Sequence, residues 1–92
     1  MATRPGHTVE LFGFPRLLAG QAAVRIEGAT LAEIAGGLGA ACPSLLGQVI
    51  DRDTGWLLPG YVFVVGDRFT SNRELAVDSS AAVLLVSAAA GG

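Results

Sequence analysis

Ala81-Ala82-Val83-Leu84-Leu85-Val86 reads as the last strand of a domain, and it runs straight into Ser87-Ala88-Ala89-Ala90-Gly91-Gly92, a tail almost without side chains. Glycine leaves its carboxylate with no Cβ beside it and with nearly free φ/ψ, so an extended tail of this kind can enter a narrow active site that would reject a bulkier residue. The group singled out for chemistry is therefore the α-carboxylate of Gly92, with Gly91 as its spacer. A frayed, low-complexity end is the plain alternative.

Moving back from that strand, Asn72 to Asp78 forms a loop or a short edge strand carrying Leu75 and Val77. Tyr61-Val62-Phe63-Val64-Val65 is a strand by composition, with Gly66-Asp67 as the turn after it. Asp53-Thr54-Gly55 and Pro59-Gly60 are turn signals on either side of Trp56-Leu57-Leu58. Ser44 to Asp51 is open between a turn of helix and a short strand. Thr30-Leu31-Ala32-Glu33 has the spacing of a capping box, which starts a helix. Leu31, Ile34, Ala35 and Leu38 then line one helical face, against the propensity cost of Gly36, Gly37 and Gly39, roughly 1 kcal/mol each relative to Ala. This predicts a short helix held by packing and ending before Pro43. Near the start, His7 to Phe12 alternates around Val9 and Leu11, and Ala22 to Glu27 around Val24 and Ile26, the pattern of an antiparallel strand pair. Gly13-Phe14-Pro15 ends the first of these strands.

The chain has 92 residues, 51% of them hydrophobic, and a formal net charge of -2. One small domain over 1–92 accounts for that length, with 87–92 expected as a flexible tail. No apolar run approaches the roughly 20 residues of a spanning helix, and the N-terminus lacks the apolar stretch of a secretory signal. One cysteine makes no internal disulfide. These features point to a cytoplasmic protein without a membrane role. All six basic residues are arginines scattered along an acidic chain, which argues against a nucleic-acid partner. With no lysine, the side chains offer no amine for Schiff-base chemistry or for self-attachment by an isopeptide bond.

Conventional catalytic groups are scarce. Cys42 reads as a small buried hydrophobe and His7 as a solvated residue at the start of the first strand. One Cys, one His and scattered carboxylates give no metal-ligand set. Gly36-Gly37-Leu38-Gly39 lies inside a helical pattern and lacks the rest of a phosphate loop. Asp51 and Asp53 fit a turn better than an acid/base pair. The chain does not read as an enzyme.

The order of elements, the size and the last two residues together resemble the ubiquitin-like β-grasp sulfur carriers of the MoaD/ThiS family. The resemblance runs from Val9-Glu10-Leu11-Phe12 through Thr30-Leu31-Ala32-Glu33-Ile34 and Pro59-Gly60-Tyr61-Val62-Phe63-Val64-Val65 to Ala90-Gly91-Gly92. It implies an α+β fold, a mixed sheet with one main helix packed across it. It also implies that a ubiquitin-activating-type enzyme, using ATP and Mg, adenylates the terminal glycine, and that a sulfur donor converts the adenylate to a thiocarboxylate. The carrier itself would bind no cofactor. The receiving partner would be the large subunit of molybdopterin synthase, a cysteine synthase or a thiazole synthase, with molybdopterin or cysteine preferred over thiamin. Two other classes stand beside this one: a non-catalytic β-grasp interaction module, and a ubiquitin-like modifier conjugated through Gly92.

Three structural expectations follow. The apolar faces of the strands need one partner, so the Leu31/Ile34/Leu38 helix should cross the sheet, with the last strand parallel to the first and beside it. Strands apolar on both faces leave an exposed apolar patch on the open side, and the docking residues expected there or next to the tail are Phe12, Phe14, Phe63, Leu84 and Ala90. The tail from Ser87 should project from the sheet.

Overall fold

The computed structural model describes residues 6–88. In chain order they form β1 (Gly6–Leu11), α1 (Phe14–Ala19), β2 (Ala23–Glu27), α2 (Leu31–Ala41), a 3₁₀ turn (Pro43–Leu45), β3 (Tyr61–Val65), β4 (Arg68–Thr70) and β5 (Val83–Ser87). The sheet order is β2-β1-β5-β3-β4. β1 and β5 pair in parallel, with Val9 beside Val83, and every other neighbouring pair is antiparallel. This is the β-grasp arrangement, with the last strand in the middle of the sheet.

α2 starts as its spacing requires. Thr30 Oγ1 accepts from the Glu33 N–H at 3.3 Å, while Glu33 Oε1 accepts from the Ala29 N–H at 2.9 Å. The segment after β4 completes the cap, because the Leu31 and Ala32 N–H groups donate to the carbonyls of Leu75 and Arg73 at 3.1 and 2.8 Å. The Leu31, Ala32 and Glu33 N–H groups of the first turn thus each have a protein partner.

Leu31, Ile34, Ala35 and Leu38 are buried against Val9, Leu11, Val24, Ile26, Phe63, Val83 and Leu85 of the strands. Two of the helix glycines explain themselves in this packing. A Cβ on Gly37 would lie 2.6 Å from Ile26 Cγ2, and one on Gly39 would lie 2.9 Å from Leu46 Cδ2, whereas Gly36 faces open space. Gly37 and Gly39 let the helix sit close to its neighbours at a cost in propensity.

Four local expectations change. Gly13-Phe14-Pro15 does end β1, but it opens a six-residue helix, α1, with proline in its first turn and Gly20 in the left-handed conformation at its end. Proline has no N–H to lose there, so it favours rather than prevents the turn. Gly66-Asp67 is the two-residue turn of a hairpin whose second strand, β4, was not foreseen; Gly66 has φ 67 and Asp67 stays at negative φ, as in a type II′ turn. Ser87 is the last residue of β5, not part of the tail. His7 is 1% exposed rather than solvated: it faces α2 with Val9 and Leu11, and its Nε2–H donates to the Gly28 carbonyl at 2.8 Å. Its Nδ1 has no partner among the described residues.

The long connection from 46 to 60 wraps onto the same core through Val49, Ile50 and Leu57. Asp51 Oδ1 accepts from the Asp53 and Thr54 N–H groups at 2.7 and 3.2 Å, the turn-forming role read from the sequence. Trp56 packs on Phe63 with ring centroids 5.7 Å apart, and the Arg73 guanidinium lies 5.4 Å from the Trp56 ring.

Candidate functional site

The root of the tail lies where three chain segments end together. Ser87 pairs with Tyr61, the Ala88 N–H donates to the Gly60 carbonyl at 2.8 Å, and the Phe12 N–H donates to the Leu85 carbonyl at 3.2 Å. Phe12 thus continues β1 alongside β5. Gly13 then turns the chain into α1 with φ 68 and ψ -136, a region that only glycine enters readily. A Cβ added there would lie 3.8 Å from Ser87 Oγ, so α1 begins beside the end of β5. Ala90, Gly91 and Gly92, the residues expected to carry or flank the chemistry, lie outside the described residues.

On the face of the sheet away from α2, Leu84 lies abreast of Val64, and Val64 abreast of Phe69, while Val86 lies abreast of Val62. Val62, Val64, Leu84 and Val86 are half-buried, and Phe12 and Phe69 are exposed. The other half of this face, on β1 and β2, is polar: Thr8, Glu10, Arg25 and Glu27 are exposed. The expected apolar patch is therefore present, confined to β5, β3 and β4 and continued by Phe12 at the tail root.

Of the docking residues read from the sequence, Phe12 and Leu84 lie on this face and Phe14 is exposed on α1. Phe63 is a correction. It is fully buried under α2 and faces the core, because β3 alternates and its odd positions point to the helix. A strand of five apolar residues carries no periodic signal to say which face is covered. Sequence reasoning also missed Leu17 and Phe69. The signal for the first was present: a proline in the first turn and a glycine after the last mark Phe14–Ala19 as a short helix.

Other groups do not assemble into a reactive centre. Cys42 is buried at the C-terminal end of α2, and His7 bonds to Gly28 ahead of its N-terminal end. Burial pushes the Cys42 thiol up from its ordinary value, against a weaker opposing effect of Gln21, whose Nε2 lies 3.8 Å from Sγ. Among the described residues no group of three or more His, Cys, Asp or Glu is placed to hold a metal ion, and no helix is long and apolar enough to cross a membrane. The Leu31, Ala32 and Glu33 amides at the α2 N-terminus are taken by protein acceptors, so they are not available to a phosphate. A groove of about 470 Å³ between the β3–β4 hairpin and residues 75–81, lined by Val65, Arg68, Leu75 and Asp78 among others, lies at the opposite end of the sheet from Ala88.

No protein-family model matches the chain, and no curated protein does. Solved structures do. The crystal structure of SAMP1 from Haloferax volcanii superposes with a TM-score of 0.77 at 23% identity, covering 95% of this chain and 99% of that one. A crystal structure of the BexX/CysO complex of Amycolatopsis orientalis matches with a TM-score of 0.72 at 21% identity over 92% of this chain and 98% of the other. A Pyrococcus furiosus protein described as molybdopterin converting factor subunit 1 gives 0.67 at 21% identity, covering 89% and 95%. These neighbours are of the ubiquitin-like MoaD/ThiS kind, and the likeness shows the β-grasp fold.

Proposed function

We propose that this chain is a sulfur carrier whose Gly92 carboxylate is activated and loaded by other enzymes. The observation that carries the reading is the placement of β5: the central strand delivers the backbone to Ala88 at the rim of the sheet, beside an apolar face and four residues before Gly92. A carboxylate is a poor electrophile, so it has to be activated before sulfur is attached. An oxygen of the Gly92 carboxylate attacks the α-phosphorus of ATP and pyrophosphate leaves. Hydrosulfide delivered by the sulfur donor then attacks the acyl carbon, the bond to AMP breaks, and Gly92 is left as a thiocarboxylate.

The chain's own part is recognition and reach. The patch of Phe12, Val62, Val64, Leu84, Val86 and Phe69 docks on the adenylating enzyme and, in turn, on the acceptor synthase, while the tail crosses into each active site. The acceptor is proposed to be a molybdopterin synthase large subunit, with cysteine and thiazole synthases as the other candidates. In this scheme the chain is a co-substrate rather than an enzyme, and it works in the cytoplasm. The likeness to a protein named a small archaeal modifier supports a second reading, conjugation of Gly92 to lysines of other proteins.

Intact-mass measurement of the protein from its own cells tests the proposal, with an increase corresponding to one oxygen replaced by sulfur as the expected result. Deleting Gly92 should abolish ATP-dependent activation. Full activity of that deletion in a reconstituted sulfur-transfer assay would instead leave a non-covalent binding module, and Gly92 found on target lysines would favour the modifier.

A further inference from the structure

A reactive group on a tail is useful only within the tail's reach. The last hydrogen bond of the sheet among the described residues is that from Ala88 to Gly60. Ala89 to Gly92 follow, and because an extended chain spans at most about 3.3–3.6 Å per residue, a Gly92 carboxylate can reach no farther than about 16 Å from the Ala88 Cα. An enzyme that encloses both a nucleotide and this carboxylate must therefore lower the mouth of its cleft onto whatever surrounds Ala88.

On one side of Ala88 that surrounding is α1. Phe14 and Leu17 stand at i and i+3, on one side of the helix, and they are 44% and 77% exposed. Pro15 is buried and Leu18 half-buried, and Ser44 Oγ donates to the Leu18 carbonyl at 2.8 Å, so α1 is held on its inner side, while Phe14, Arg16 and Leu17 are left exposed, two apolar residues with one cation. Phe12, exposed on the open face of the sheet, precedes α1 with only Gly13 between them. Nothing in the core uses Leu17.

We infer that the adenylating enzyme acting on Gly92 carries an apolar recess at the mouth of its cleft, and that Phe14 and Leu17 of α1 seat in it. The inference rests on the proposed activation of Gly92. It adds a contact separate from the sheet face, which fixes the direction in which the tail enters.

The test uses the full chain with the purified adenylating enzyme of the same organism and follows ATP–pyrophosphate exchange. Leu17→Glu, and separately Phe14→Ser, should raise the KM for the carrier at least tenfold and leave kcat unchanged. Ala32→Glu, an exposed site at the other end of α2, should leave both unchanged. The same loss of affinity should appear by calorimetry in a chain lacking Gly92, where no chemistry occurs, and thermal melts should show all variants folded. An unaltered KM in Leu17→Glu and in Phe14→Ser overturns the inference, as does a fall in kcat at constant KM. Absence of exchange with the unaltered chain overturns the activation of Gly92 itself, a separable outcome.

Discussion

β5 carries two surfaces of the same composition and opposite fate. Val83 and Leu85 are fully buried beneath α2, while Leu84 and Val86 are only half-buried on the other side of the sheet. β3 repeats the contrast, with Phe63 inside and Val62 and Val64 on the open face. Nothing in the residue types separates the two sets. What separates them is that one helix covers one face. Apolar area on the covered face stabilises the fold, by roughly 25 cal/mol per Å² removed from water; on the open face much of the same kind of area stays in contact with water.

The contrast is most exposed to test in two phenylalanines. Phe63→Ala should destabilise the protein by about 3–5 kcal/mol in urea unfolding, whereas Phe69→Ala, on the neighbouring strand and 72% exposed, should change stability by less than about 0.5 kcal/mol. Similar losses for both would mean that the open face is not open. Next in size, Gly37→Ala should cost about 1–3 kcal/mol, because its methyl would collide with the buried Ile26 side chain. One residue earlier, Gly36→Ala meets nothing and should stabilise by roughly 0.5–1 kcal/mol through helix propensity. Equal signs for these two substitutions in thermal melts would contradict the packing of α2 on β2. Thr30→Ala should cost about 1 kcal/mol by removing the cap, measured in the same way. Smallest in stability, deleting Gly92 or replacing Gly91 by Val should leave the melting temperature unchanged and abolish acyl-adenylate formation, detected by pyrophosphate exchange.

The parts that sequence reasoning reached are those with a local or periodic signal. Thr30 and Glu33 announced α2, alternation announced β1 and β2, and turn residues bounded β3. The parts it missed depend on what covers what. His7 resembles any polar residue at a strand start until Gly28 supplies a carbonyl 2.8 Å away. Phe63 and Leu84 belong to uniformly apolar strands, so only the helix decides which is core and which is surface. β4, three residues long and exposed at one edge, has too few positions to show a period. α1 was hidden by the reading of Phe14-Pro15 as a stop, although proline in a first helical turn is favourable.

The place of β5 in the sheet also bears on how the molecule is made. Among the described residues β1 with β2 and β3 with β4 form two antiparallel pairs that do not pair with each other, and β5, translated after both, is the strand that joins them. During synthesis the sheet therefore stays in two pieces until the last strand has emerged, since pairing across most of the chain length is the slowest contact to form. The strand that joins the two halves of the sheet is thus also the one that carries the backbone to Ala88 at its rim.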